Sequence, residues 1–361
     1  MTTLNGLTPW RHDLAGCLHA DMASLLAFHG RDPLEVLGAA WEFFYRPGDV
    51  RREEYYFPCK PGTSLLASMA PHHPVRSVWH HPADAEQGWA QVREAVAGGR
   101  PVAVTVDNFE LPFRPAYQDV HANHMILVHG FDEERGTVRV MDAVPPRFDG
   151  EILLSRLAAA RDSGNEIEHD RDMFFTDAPI ANRWLDIEID EDRFPAFDRA
   201  FVRRVIEANG RSFRAPQDLD AAPALTGLVG QRTFLDGMAK RRAAGEDIRD
   251  ELFVTSGVLL ATTALHADWL AHAARGFDVP ELAEAARQVE RTAHHWSAVR
   301  ILAARTSTST GTSTSTSTST STGTSTRTGP TTADQLVRRF DELMDDQQRA
   351  LRELDRALTV L

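Results

Sequence analysis

The sequence predicts an α+β first half, with helices packed on an antiparallel sheet, followed by a mainly α-helical second half. Three observations carry this. Three runs of strand-forming residues, Pro101–Asp107, His124–Phe131 and Thr137–Asp142, follow one another closely, and a polar, Gly-ended loop, Asp132-Glu-Glu-Arg-Gly136, joins the last two as a hairpin. Segments of helical period stand on both sides of these runs. From Phe194 onward the period is helical and strand signals are nearly absent, as in a helical bundle or layer.

Taken in order, Leu14–His29 is the first expected helix, with Leu18, Met22, Leu25 and Leu26 on one face and Gly30 as its stop. Asp13 or Gly16 is placed to cap it, which sets Cys17 in its first turn. A second helix is expected over Pro33–Phe44, then a charged loop rich in Pro and Gly over Tyr45–Pro61. Ala85–Ala97 reads as a helix closed by Gly98-Gly99. After the three strands come a short helix over Leu153–Arg161, an edge strand over Met173–Thr176 and a link over Ile180–Arg193. The expected helices of the second half are Phe197–Asn209, Ala222–Ala243, Asp250–Arg275, Val279–Arg305 and Ala333–Leu361. Gly210, Gly245 and Gly276 punctuate them. The Ser/Thr alternation Thr306–Thr328 offers nothing to bury and reads as a disordered linker.

Composition narrows the function. The chain has 361 residues, 42% hydrophobic and 25% charged, the balance of a globular protein large enough for two domains. A net charge of -13 argues against nucleic acid and gives no attraction to an anionic membrane. Met1–Arg11 lacks the apolar core of a signal peptide, and Leu259–Leu270 is too short and too polar to span a bilayer, so a cytoplasmic protein is expected. Its two cysteines, Cys17 and Cys59, are then expected to be reduced thiols.

Chemistry concentrates in the first half. A helix N-terminus favours thiolate, and its backbone N–H groups can receive an oxyanion, so Cys17 is the candidate nucleophile. Cys59 lies in a charged loop without that advantage. His124 opens an apolar strand and shares a face with Ile126 and Val128, while Asp142 shares a face with Val138 and Val140. Any hairpin register that aligns those faces sets Asp142 opposite or diagonal to His124, where a carboxylate can orient an imidazole that takes the thiol proton. His121 is the rival to His124. His121-Ala-Asn-His124 invites a metal reading, but it precedes a strand and lacks the acidic residue of a helical zinc motif, so no metal is assigned. Asp107, at the end of the first strand, is a candidate to line a cleft. No glycine loop for phosphate is present, and no nucleotide cofactor is expected.

Together these segments resemble the N-terminal domain of the butirosin biosynthesis protein H family, relatives of the papain-like and C39-like cysteine peptidase fold. The resemblance rests on the nucleophile-type helix Cys17-Leu-His-Ala-Asp-Met-Ala-Ser-Leu-Leu-Ala-Phe-His-Gly30 and on Pro101-Val-Ala-Val-Thr-Val-Asp-Asn-Phe-Glu-Leu-Pro-Phe113. It rests too on His121-Ala-Asn-His-Met-Ile-Leu-Val-His-Gly-Phe-Asp132, on Thr137-Val-Arg-Val-Met-Asp142 and on the segment Glu151–Arg161, and it covers roughly residues 10 to 165. It implies a papain-like catalytic domain over 1–180, and the pattern of the remaining sequence adds a link over 181–193, a helical domain over 194–305, a Ser/Thr-rich disordered linker over 306–332 and a terminal helix over 333–361. The resemblance also implies a thiol acyltransferase of natural-product biosynthesis. Cys17 would take an acyl or aminoacyl group from the phosphopantetheine thioester of an acyl or peptidyl carrier protein and pass it to a small amine, with His124 as base and Asp142 orienting it. A papain-like enzyme would carry an oxyanion-hole Gln shortly before the cysteine. Here that stretch is Trp10-Arg-His-Asp-Leu-Ala-Gly16, which leaves Arg11, His12 or backbone N–H groups for the role. Arg203-Arg204 and Arg241-Arg242 are candidate basic patches for an acidic carrier. The alternatives are a cysteine peptidase, amidase or thioester hydrolase using the same three residues, and a non-catalytic scaffold in a biosynthetic assembly.

Overall fold

A computed structural model describes residues 1–49, 55–166, 178–215, 224–305 and 332–361. The expected edge strand Met173–Thr176 and the Ser/Thr tract over 306–328 lie outside the described residues.

The chain is α+β. In order its elements are β1 (Thr2–Thr3), α1 (Cys17–Phe28), α2 (Pro33–Leu37), β2 (Phe44–Tyr45), α3 (Leu65–Met69), β3 (Val75–His80), α4 (Ala85–Ala97), β4 (Val102–Asp107), β5 (Asn123–Asp132) and β6 (Thr137–Asp142). Then follow β7 (Phe148–Leu153), α5 (Leu154–Asp162), β8 (Trp184–Ile189), α6 (Arg199–Arg214), β9 (Leu225–Thr226), α7 (Gly227–Ala243), α8 (Arg249–Phe277), α9 (Pro280–Arg305) and α10 (Thr332–Leu358).

The main sheet is antiparallel throughout, in the order β3-β8-β4-β5-β6-β7, with β1 added on β5. Its central strands are covered on both faces, which is why β4 and β5 read as nearly unbroken apolar runs. Ala103, Met125, Leu127, Met141 and Leu185 pack under α1 and α3. Val104, Ile126, Val128, Val138 and Val140 pack against Val92 and Val96 of α4 and Leu157 of α5. Side chains two apart share a face, so one strand feeds both cores.

Three expectations are corrected. The helix expected over Pro33–Phe44 ends at Leu37; Asp32 caps its start, accepting from Leu34 N–H at 2.8 Å, and Gly38 closes it. The apolar run behind it is not helix. Ala39, Trp41, Phe43 and Tyr45 enter the core of the helical half, where β2 pairs with β9. Second, residues 181–193, expected as a link, supply β8, hydrogen-bonded between β3 and β4 inside the main sheet. Third, β3 and β7 occupy stretches that carried no strand assignment.

The helical half stacks α8 on α9 and α9 on α10, with Trp269, Trp296 and Phe340 wholly buried. Its helix α8 docks on the sheet half. Leu265 enters the core beneath α1, and His266 Nδ1 lies 2.8 Å from the Gly38 carbonyl. Trp269 Nε1–H donates to the Glu35 carbonyl at 3.2 Å. Gly38 permits this approach: a Cβ there would lie 2.8 Å from both the Leu265 carbonyl oxygen and Trp269 Cβ.

Candidate active site

Helix α1 begins where the sequence suggested. Gly16 is its N-cap, with no side-chain cap, and Cys17 is its first residue. The lead-in segment is pinned back on the helix, because Trp10 N–H donates to Ser24 Oγ at 2.9 Å and Ser24 Oγ donates to the Ala20 carbonyl at 2.8 Å. The backbone N–H groups of a helix's first turn have no partner within the helix, so the start of α1 presents donors and a partial positive charge beside the thiol.

Cys17 is largely buried and opens onto a cleft of about 790 Å³. The start of α1 forms one wall with Gly16 and Cys17; α8 and α9 form the other with Phe253, Gly257 and Arg300; and Val144 joins the lining. The cleft thus lies between the sheet half and the helical half.

His124 and Asp142 form a second focus. His124 Nε2 lies 2.8 Å from Asp142 Oδ2, and both side chains are wholly buried. The register explains the contact. Leu127 pairs with Met141, so continuing the ladder sets Asp142 opposite Ile126 and diagonal to His124. Arg114 completes the cluster, its Nη1–H donating to Asp142 Oδ2 at 3.1 Å from a nearly buried side chain. Asp142 Oδ1 accepts from Val144 N–H at 2.9 Å. Burial by itself would raise the Asp142 pKa; the charge and hydrogen bond of His124, the Arg114 charge and the Val144 N–H outweigh it, and the net shift is downward. Asp142 is therefore a carboxylate, and it engages the Nε2 side of the imidazole.

Val144 ties the two foci together. Its N–H binds Asp142, its carbonyl oxygen accepts from Arg114 Nη1 at 3.4 Å, and it lines the cleft on which Cys17 opens.

The remaining candidates lie elsewhere. His121 is held by Asp107, with Nδ1 2.6 Å from Oδ2, and its ring stacks on Phe109. Asp107 also accepts from Ser163 Oγ–H at 2.6 Å and from the N–H groups of Phe109 and Ala122, so it closes the loop between β4 and β5 and does not line the cleft. His12 Nδ1 accepts from Leu14 N–H, and its Nε2 faces Asp268 of α8 at 3.0 Å. Arg11 is exposed beside Asp13 at 3.5 Å. Neither lines the cleft. Cys59 donates weakly to the Phe57 carbonyl at 3.5 Å and lines a different pocket, with Tyr55, Ser64 and Trp79. His19, two residues beyond Cys17, lines the cleft and was not singled out from sequence; burial, with a smaller contribution from His12, lowers its pKa to about 4, so it is neutral. No cluster of potential metal ligands occurs among the described residues.

A family comparison matches residues 16–143 to the model described as butirosin biosynthesis protein H, N-terminal. Residues 16–143 are thus similar to a butirosin biosynthesis protein H N-terminal domain. No curated protein sequence matches the chain. The matched butirosin biosynthesis protein H segment begins at the N-cap of α1 and ends one residue after Asp142, so it includes Cys17, Arg114, His124 and Asp142. It excludes α8 and α9, which build the other wall of the cleft. No described helix is long and apolar enough to cross a membrane.

Proposed function

We propose that this protein is a thiol acyltransferase of natural-product biosynthesis, with a papain-like arrangement of Cys17, His124 and Asp142. The observation that carries the reading is the buried His124–Asp142 pair, joined through Val144 to the cleft on which Cys17 opens at a helix N-terminus. The family name of residues 16–143 adds a biosynthetic setting.

In this reading Asp142 holds Nε2–H of His124, so Nδ1 is the nitrogen that takes the Cys17 thiol proton. The thiolate attacks the carbonyl carbon of a carrier-bound thioester, and backbone N–H groups at the start of α1 stabilise the oxyanion. Collapse breaks the bond to the pantetheine sulfur, which leaves with the proton held by His124. An amine then attacks the acyl-Cys17 carbonyl, passes its proton to His124 and releases the Cys17 thiolate, which recovers that proton. α1 covers the sheet face opposite that of Ile126 and Val128. The mechanism therefore requires thiol and imidazole to meet round the N-terminal end of β5, past Val144.

The test is product analysis. Incubated with an acyl-carrier thioester and a panel of small amines, the wild-type protein forms amide, and Cys17→Ala forms none. Free acid alone, at equal rates with and without amine, would replace transfer by hydrolysis.

A further inference from the structure

Arg300 is the one lysine or arginine on the cleft wall among the described residues. It stands in the helical half, outside the segment matched to the family. Its guanidinium carbon lies 4.1 Å from the ring centroid of Phe253. Gly257 leaves a groove in α8 for it: a Cβ there would come within 3.4 Å of the Arg300 Cζ and Nε atoms. Stacking on Phe253 and seating over Gly257 hold the guanidinium in place at the cleft wall.

The charge is not neutralised from within. No carboxylate of the described residues pairs with Arg300, and its Nε is buried without a hydrogen-bond partner among them. The one carboxylate on the lining, Asp13, is exposed and faces Arg11. His19, also on the lining, is neutral. A guanidinium half out of water, with neither a counter-charge nor a full set of acceptors, is costly to maintain, and an anionic ligand recovers that cost. The partial positive charge at the start of α1 gives the other wall of the cleft the same sign.

We propose that Arg300 is the anion-recognition residue of the cleft. It binds a phosphate or carboxylate carried by the thioester donor and so sets which donors are accepted. The proposal rests on the reading that Cys17 draws its acyl group from a thioester. Two parts of such a donor supply the anionic oxygens: the phosphate of a phosphopantetheine arm and a carboxylate on the acyl group.

The test is calorimetric titration of Cys17→Ala protein, which forms no acyl-enzyme, with 4′-phosphopantetheine, with uncharged pantetheine and with glutarate. At least one anion binds, and adding Arg300→Gln weakens it by about tenfold to a hundredfold, the scale of a lost charge-assisted contact. Arg300→Lys, which keeps the charge without the fork, retains more of the affinity. Neither change alters pantetheine binding. A loss confined to phosphopantetheine assigns the arm phosphate, and a loss confined to glutarate assigns the acyl carboxylate. Failure of both anions to bind, or an Arg300→Gln protein that binds them as tightly as its parent, overturns the proposal. So does an equal loss for pantetheine. Because the titration uses protein without the nucleophile, absence of an acyl-enzyme in wild type would reject the transfer reading alone.

Discussion

The Nε2 atom of His124 lies 2.8 Å from Oδ2 of Asp142, and neither side chain reaches solvent. A buried charge is tolerated only when it is paired and hydrogen-bonded, and Asp142 meets that condition through His124, Arg114 and Val144. Removing it takes the shared carboxylate away from both Arg114 and His124. Asp142→Ala is expected to cost about 3–5 kcal/mol of stability, the scale for breaking a buried pair from one side. Asp142→Asn, which keeps the shape, costs less and still lowers the rate of acylation. Urea denaturation and single-turnover acylation together check this.

Asp142 also makes stability depend on pH. Its pKa is lower in the folded protein than the ordinary 3.8. The stability it confers is therefore full above 3.8 and is lost as pH falls through the lower folded value. Arg114→Gln removes one of the charges that hold the pKa down, so the carboxyl titrates closer to 3.8 and the acid-dependent part shrinks. Carbon-13 carboxyl titration of wild type and Arg114→Gln measures the change. An unmoved Asp142 would show that Arg114 contributes nothing to it.

Buried histidines give a second, higher window. Burial lowers the pKa of His266 and of His73 to about 3, each from 6.5. Unfolded chains bind these protons first, so stability is full above pH 6.5 and declines as pH falls below it, by up to about 1.4 kcal/mol per pH unit for each group. His266→Phe, which keeps the stacking with Trp41 and Trp269 but gives up the Gly38 bond, is expected to flatten the slope between pH 6.5 and 4.5 while lowering stability at pH 7.5. Denaturant titrations across that range check both.

The contact between the two halves depends on a missing side chain. Gly38→Ala puts a methyl against the Leu265 carbonyl and Trp269 Cβ, and is expected to destabilise by about 1–3 kcal/mol, the cost of overpacking. Because α8 forms part of the cleft, acylation by thioesters should weaken together with the melting temperature. Equal melting temperatures for the two proteins would show that the halves give way at this contact.

The sequence exposed those parts of the fold whose pattern is local. α4 falls on Ala85–Ala97, β6 on Thr137–Asp142, and α1 and β5 within a few residues of their expected ends, because period and caps report directly on such segments. β3 and β7 escaped because they flank the sheet with exposed, charged residues such as Arg76 and Glu151, and Gly150 weakens the strand signal further. β8 escaped because Asp and Asn around it imitate a link. The run Ala39–Phe44 looked helical because every residue but Glu42 is apolar; it is apolar because it enters a distant core. At the site, the faces of His124 and Asp142 were legible from strand period. Arg114 was not, since it lies between Pro112 and Pro115 in a loop without period. Nor was Arg300, which meets the cleft only through the packing of α8 and α9.

The acyl-enzyme is the central claim, and intact-protein mass spectrometry tests it most directly. After incubation with an acyl thioester, wild type and Cys59→Ala gain the mass of one acyl group, and Cys17→Ala gains none. An adduct that persists in Cys17→Ala and disappears in Cys59→Ala, or no adduct on any of the three across a varied thioester panel, contradicts the account.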